Sequence, residues 1–400
     1  MLRHRLLLIL SGVVGAVLLL AGAAVLVLLT VDPGPHVAGL ATKALGRATA
    51  IGTLKIGWGR KIMVEAADIV LANPDWANEP EMIRVGRLNA TLDLASLLRG
   101  VMRYERLELE NVRVVLERRA DGSPSWKMGS GAKPPPRGGL ALVPANRTQF
   151  PTLIDFTLTN GTLFYRNAGR REIAIAVRDG AIAAPGDTSP VRLMLDGAYN
   201  GTATRLAGTT DSFTAMRDAA VPFGVALDFA AAGAGARCEG TLREPLDFEG
   251  AAGALRLDAA NLGRLLDLFG TDEPLAVPLI LAGAFTRDGA DWRLDRAKGR
   301  FGTSDFTGVL VLNEGGRGAA DRVHLDLAFP LLDIATLLAG RGDAASASMP
   351  LEFSAKPGTL FDGRVVARTA VWRRLRVDNL AIAGRTGPGL TQVDALTFTL

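Results

Sequence analysis

Cys238 is the only cysteine among the 400 residues, so no intrachain disulfide can staple the chain. It reads as a small apolar residue in an interior rather than as a reactive thiol. Histidine is nearly as scarce, at three residues: His4, His36 and His324. His324 and Asp326 share one face of a strand, opposite Val323, Leu325 and Leu327, which marks a solvated strand face rather than part of a triad. No Gly-x-Ser-x-Gly, His-Glu-x-x-His or Cys-x-x-Cys occurs, and Gly131 and Lys133 miss the spacing of a phosphate-binding loop. Glu108 and Glu110 lie two apart on a face that also bears Arg106, so they read as surface charge rather than a glycosidase pair. The expectation is therefore no catalytic residue, no metal ligand and no cofactor site, in a protein that is not an enzyme.

Charge of one sign is missing too. Forty-five basic residues nearly balance 41 acidic ones, the net charge is +4, and no basic block is interleaved with aromatics. That excludes a nucleic-acid footprint. Tyrosine and tryptophan are sparse, at three and five residues against 46 glycines, so the interior is built from small and aliphatic side chains. At 48% apolar content the length still suffices for a large core.

One long hydrophobic run is present. After Arg3, His4 and Arg5, the stretch from Leu6 to Val31 carries no charge, and Ser11 and Thr30 are its only polar side chains. As a helix it would be about 39 Å long, enough to cross a ~30 Å hydrocarbon core with some tilt. The basic flank places residues 1–5 in the cytoplasm, 6–31 in the membrane and the bulk on the far side. Ala21-Gly22-Ala23 offers a signal-peptide cleavage site. Cutting there would leave Val25 to Leu29 at the new terminus, so an uncleaved anchor is favoured. Asp32-Pro33-Gly34-Pro35 ends the run. Val37 to Leu45 then fits a short amphipathic helix, with Val37, Leu40, Ala41 and Ala44 on one side and Gly46 at its end.

Downstream, the stretch from Lys61 to Trp126 holds the clearest pattern. Ile62 and Val64, then Leu88, Ala90 and Leu92, alternate with polar neighbours, the period of half-buried strands. Between Asp93 and Gly100 the period changes: Leu94, Leu97 and Leu98 fall at i, i+3 and i+4, with Asp93 able to cap and Gly100 to terminate. Two more strands come next. Leu107 and Leu109 keep one phase, Val112, Val114 and Leu116 the other, and the slip falls at Asn111, a residue that tolerates turns and bulges. Asp121-Gly122 closes the unit as a turn.

In Leu71-Ala72-Asn73-Pro74 … Trp76 and Leu92-Asp93-Leu94 … Leu97-Leu98-Arg99-Gly100, this stretch resembles the N-terminal region of the AsmA family. Leu107-Glu108-Leu109, Val114 to Arg118 and Asp121-Gly122 … Trp126 add to the likeness, though Ser125 stands where the family usually has Asn. The order and spacing of these pieces carry the resemblance, over residues 1–126.

Residues 127–150 are a Gly/Pro-rich break, read as a mobile loop. From 151 to 400 strands resume: Ile154, Phe156 and Leu158 alternate with Asp155, Thr157 and Thr159, followed by Asn160-Gly161 and Leu163 to Tyr165. The style continues to Val393–Leu400, an apolar edge strand that either continues in a longer protein or pairs with a partner. Separators rich in Gly, Asp and Asn predict antiparallel neighbours. Gly302-Thr303-Ser304-Asp305 reads as one such turn. Two echoes suggest repetition. The capped helix returns at Asn261–Gly270 and Asp333–Gly340, and the strand-Asn corner of residues 109–111 returns at 158–160 and 377–379.

The expected fold is mainly β: a transmembrane helix, residues 32–126 as an N-terminal β unit, then a long antiparallel sheet with a few short helices. Its apolar face needs a cover. The resemblance implies that the sheet curves into an open groove for acyl chains, in a protein similar to chorein-type bridges. It further implies phospholipid traffic between inner and outer membranes and outer-membrane homeostasis. By that implication Leu107, Leu109, Val112, Val114, Leu116, Ile154, Phe156 and Leu158 line the groove. The partners would be membrane lipids, the inner membrane itself and an outer-membrane or envelope protein. Other readings are an assembly factor that binds outer-membrane proteins through sheet edges, and an envelope polysaccharide enzyme. The topology is testable: a C-terminal fusion to a reporter active only in the cytoplasm should stay dark, and a bright signal would overturn the orientation.

Overall fold

A computed structural model of the chain describes residues 33–98, 102–119, 123–126, 147, 150–166, 172–245, 248–268, 275–315, 320–335, 359–387 and 390–400. The expected span Leu6–Val31, the Asp121-Gly122 turn and Gly100 lie outside them. Among the described residues no helix is long and apolar enough to cross a membrane. The chain divides into two compact units, residues 1–132 with 151–173, and residues 133–150 with 174–400.

The first unit begins with α1 (Gly34–Leu45), which ends as expected: Gly46 takes a left-handed φ of 65° and donates its N–H to the Thr42 carbonyl. The side that packs is not the predicted one. Ala38 is buried and Leu45 reaches the core, while Val37 and Leu40 remain exposed, because small residues let the helix lie close to the first strand. Then come β1 (Thr49–Gly57), β2 (Lys61–Ala72), β3 (Glu81–Asp93), α2 (Leu94–Leu98), β4 (Arg103–Glu117), β5 (Thr152–Leu153) and β6 (Asp155–Arg166). The Asp93 carboxylate accepts the Ser96 N–H at 3.0 Å and caps α2 as the spacing predicts.

Strands β1 to β4 pair antiparallel in sequence order. β6, however, runs parallel to β4, with β5 against the start of β4. Turn residues pointed only to antiparallel neighbours; a parallel pair needs a long crossover. The chain between Glu117 and Asp155 supplies that length.

Asn111 is the second difference. It sits at φ 54° as a bulge inside the continuous strand β4, and Asn160 repeats it at φ 56° inside β6. Each bulge absorbs one residue, so the two phases read around Asn111 face the same side. The Asn160 amide donates to the Asn111 side-chain oxygen at 2.6 Å, which pins the two bulges together. On β3 the close approach requires Gly86, where a Cβ would lie 2.9 Å from the Asn111 Cβ.

The second unit holds β7 (Glu172–Ala183), β8 (Val191–Tyr199), β9 (Thr202–Thr210), β10 (Phe223–Ala231), β11 (Ala234–Leu242), β12 (Ala251–Ala259) and β13 (Leu279–Asp288). It continues with β14 (Asp291–Phe301), β15 (Ser304–Asn313), β16 (Asp321–Asp333), β17 (Thr359–Trp372), β18 (Leu375–Gly387) and β19 (Leu390–Thr399). Neighbours pair antiparallel throughout, except that β16 and β17 are parallel. Gly302, at φ 60°, makes the expected turn between β14 and β15.

The strand-Asn echo has a physical counterpart, and the helix echo has one at its start, since Gly270 and residues 336–340 lie outside the described residues. Asn379 adopts φ 53° like Asn111 and Asn160. Asn261 caps α4 (Leu262–Leu268) by accepting the Arg264 N–H at 3.1 Å, and Asp333 accepts the Ala335 N–H at 3.0 Å. The short helix α3 (Phe213–Arg217), capped by Ser212, was not legible, since it lacks the paired leucines of the others. Its C-terminal carbonyls are collected by Arg147, only 5% exposed, whose guanidinium donates to Met216 at 2.7 Å and to Asp218 and Arg243 at 2.8 Å.

In the first unit a buried carboxylate plays a comparable part. Glu117, 3% exposed, accepts the backbone N–H groups of Asn78 (3.1 Å) and Glu79 (3.0 Å) and the Asn78 amide (2.6 Å). Burial alone raises its pKa, but these donors and the Arg166 charge outweigh burial and hold it below the usual glutamate range. A depressed folded-state pKa stabilises above the unfolded value and is lost as pH falls through the folded one. Glu117→Gln should therefore cost about 1–3 kcal/mol at neutral pH. In urea titrations the gap from the wild type should narrow below the ordinary value of 4.5. A gap independent of pH would show that the charge does not matter.

Candidate functional site

The ladder registers decide which residues share a face. In the first unit Leu107 lies opposite Phe156, Leu109 opposite Leu158, Val112 opposite Gly161, Val114 opposite Leu163 and Leu116 opposite Tyr165. On the other side of β4, Ala90, Leu88, Val85 and Ile83 continue the same rows. Seven of the predicted groove residues, Leu107, Leu109, Val112, Val114, Leu116, Phe156 and Leu158, thus stand on one face. Ile154 precedes β6 in line with them, its N–H donated to the Tyr104 carbonyl at 2.9 Å. Leu116 differs from the rest. It is fully buried in a cluster with Leu71, Met82 and Trp126, which closes one end of this face.

The second unit repeats the pattern at larger scale. Phe229 pairs with Leu206, Leu227 with Cys238, Leu257 with Leu281, Leu294 with Leu310, Leu310 with Leu325 and Val365 with Ile382. From β8 to β18, among the described residues, the one charged side chain in this parity is Arg287, near the end of β13. It lies over the Trp292 ring at 4.6 Å. Cys238 stands half-buried in the row, where burial pushes its thiol pKa up.

The opposite face carries the charges, in pairs. Arg205–Asp196 (2.8 Å), Arg237–Asp228 (3.2 Å) and Arg300–Asp305 (2.7 Å) bridge neighbouring strands, and Arg87–Glu110 (3.3 Å) does so in the first unit. His324 faces the same way, but its partner is Asp362 on β17, at 2.6 Å, not Asp326. The sequence could not show this, because only the parallel register brings residues 324 and 362 together. Both side chains are more than 40% exposed, so the pair belongs to a solvated surface. Among the described residues no group of three His, Cys, Asp or Glu side chains is placed to hold a metal ion.

The apolar face is only partly self-covering. Leu281, Leu294, Phe306, Phe329 and Leu380 bury one another along β13 to β18, yet Phe229, Phe361, Trp372, Leu375 and Ile382 stay 36–52% exposed. The described helices, five to twelve residues long, are too short to roof it. Glycine is the signal that sequence reasoning passed over. Gly208, Gly240, Gly253, Gly299, Gly308 and Gly363 all belong to the apolar parity. A Cβ at any of them would come within 2.1–2.3 Å of a carbonyl oxygen on the next strand. The strands approach each other too closely there for any side chain. Gly208→Ala should thus destabilise the fold by about 1–3 kcal/mol. Gly235→Ala, on the charged face with nothing within 4 Å, should be neutral or slightly stabilising. Equal melting temperatures for the two variants would refute the close approach.

These features define a class: mainly β proteins with a long open antiparallel sheet, apolar on one face and charged on the other, and few helices. The AsmA family profile matches residues 4–135, which bears out the resemblance read from Leu71 to Trp126. The chain is also similar to "AsmA family protein YhjG" of Escherichia coli (strain K12), at 24% identity over 346 residues. That alignment covers 76% of this chain and 49% of the relative, so the chain spans about half the length of the curated relative it matches. No solved structure matches the chain.

Proposed function

We propose that this protein is a membrane-anchored carrier of lipid: Leu6–Val31 holds it in the inner membrane, and the sheet lies in the periplasm. There the apolar face, curved into a groove, takes acyl chains of phospholipids passing between inner and outer membranes and so serves outer-membrane homeostasis. The observation that carries this reading is the uncharged parity, unbroken from β8 to β18 save for Arg287 and left half-exposed. Water is a poor partner for such a surface, and large exposed apolar patches mark contact with another apolar phase. Hydrocarbon satisfies it without asking for hydrogen bonds. Assembly of outer-membrane proteins by strand addition would rely on backbone edges instead, and would be indifferent to the side chains within the sheet.

The test uses one strand. Phe156 is in the apolar parity opposite Leu107, and Thr162 is in the other parity opposite Arg113. Phe156→Asp places a carboxylate among methylenes, a cost of several kcal/mol to lipid seated there. Thr162→Asp meets water and a cation. Both variants are purified in detergent, checked by circular dichroism, and their lipid extracted for mass spectrometry. Folded Phe156→Asp should lose co-purifying phospholipid and fail to complement a deletion strain, and Thr162→Asp should keep both. Equal lipid in the two folded proteins would overturn the groove at β6.

A further inference from the structure

The uncovered side of α1 points to a second contact with lipid, and this inference rests on the reading of Leu6–Val31 as a membrane span. Ala38 turns toward the sheet, and Leu45 joins the cluster of Leu71, Met82, Leu116 and Trp126. The side left outside keeps Leu40 68% exposed and Val37 36% exposed, with His36 and Lys43 beside them. Two large aliphatic side chains thus stand side by side on the outer face of a helix of twelve residues.

Chain length says which cover is in reach. Gly34 opens α1 three residues after Val31, and three extended residues span at most roughly 10–11 Å. The headgroup layer outside the hydrocarbon core is roughly 5–7 Å deep. A chain leaving the bilayer at Val31 therefore starts α1 within, or barely beyond, the headgroups. The same end of the first unit carries further interfacial residues. Thr49 pairs with Leu71, so β1 begins where β2 ends. The segment after β2 presents Trp76, with the exposed Arg119 guanidinium 5.0 Å from its ring. Tryptophan, and Lys or Arg that keep the head in water while the stem lies on apolar surface, are the side chains of membrane interfaces.

We propose that α1 lies on the bilayer surface, with Val37 and Leu40 dipping into the headgroup–acyl boundary and Lys43 and Arg119 at the level of the lipid phosphates. The first unit is then held against the membrane by its α1 and Trp76 end, rather than hanging from a flexible tether.

Depth-dependent quenching tests this on the full chain. In a Cys238→Ala background, Leu40→Cys and Met63→Cys carry the same polarity-sensitive fluorophore. Met63 is 55% exposed and lies on β2 at the end away from Leu71. The proteins are reconstituted into vesicles of equal parts phosphatidylcholine and phosphatidylglycerol. One set contains lipid with a nitroxide high on the acyl chain; another is titrated with aqueous iodide. The label at residue 40 should be quenched several-fold more by the nitroxide lipid than the label at 63, and several-fold less by iodide. Iodide quenching at 40 equal to that at 63, in protein that still resists carbonate extraction, would overturn the interfacial helix while leaving the membrane span intact. Release by carbonate would overturn both. A label at 40 shielded from both quenchers would also overturn the proposal, because a protein surface would then be the cover.

Discussion

Hydrogen-bond registry between strands is the constraint on which the rest of this structure depends. Side chains alternate with a period of two, so one uncompensated slip moves every later apolar residue to the charged face. A sheet that must stay one-sided over many strands needs its irregularities to be phase-preserving. The bulges at Asn111 and Asn160 meet that need: each adds a residue without exchanging the faces, and the hydrogen bond between them keeps two strands irregular at the same level. Asn is suited to the task because it enters the left-handed region at low cost.

The polar groups that do become buried lie where the chain leaves the ladder. Glu117 gathers N–H groups from the segment after β2, and Arg147 gathers carbonyls at the end of α3. In both places a loop or short helix presents backbone groups that no strand partner satisfies, and one long charged side chain answers several of them. The two residues use opposite charges because one meets donors and the other acceptors.

Alternation made most strands legible, and capping chemistry revealed α1, α2 and α4. The apolar face at Leu107, Phe156 and their neighbours was legible for the same reason: period two is a local property. What escaped was non-local. The parallel pairing of β4 with β6 leaves no mark on either strand, since a crossover is specified by the length between them. Asp362 as the partner of His324 comes from a second such pairing. The glycines of the apolar face were visible as residues, but their meaning required knowing which carbonyl stands opposite. α1 shows the limit from the other side: its amphipathic pattern was real, yet the small-residue side packed and the large aliphatic residues did not.

Among the described residues of β8 to β18 the apolar face has one charge, at its margin, and that would shape any motion along it. Charged or hydrogen-bonding groups create wells that a passing molecule must climb out of. If the face carries acyl chains as proposed, a hydrocarbon moving from strand to strand, about 4.8 Å at a time, would exchange one largely apolar set of contacts for another. The energy profile along the sheet would then hold few deep wells, and net flow along such a track would be set by the difference in occupancy between its two ends. Direction would have to be imposed from outside the sheet.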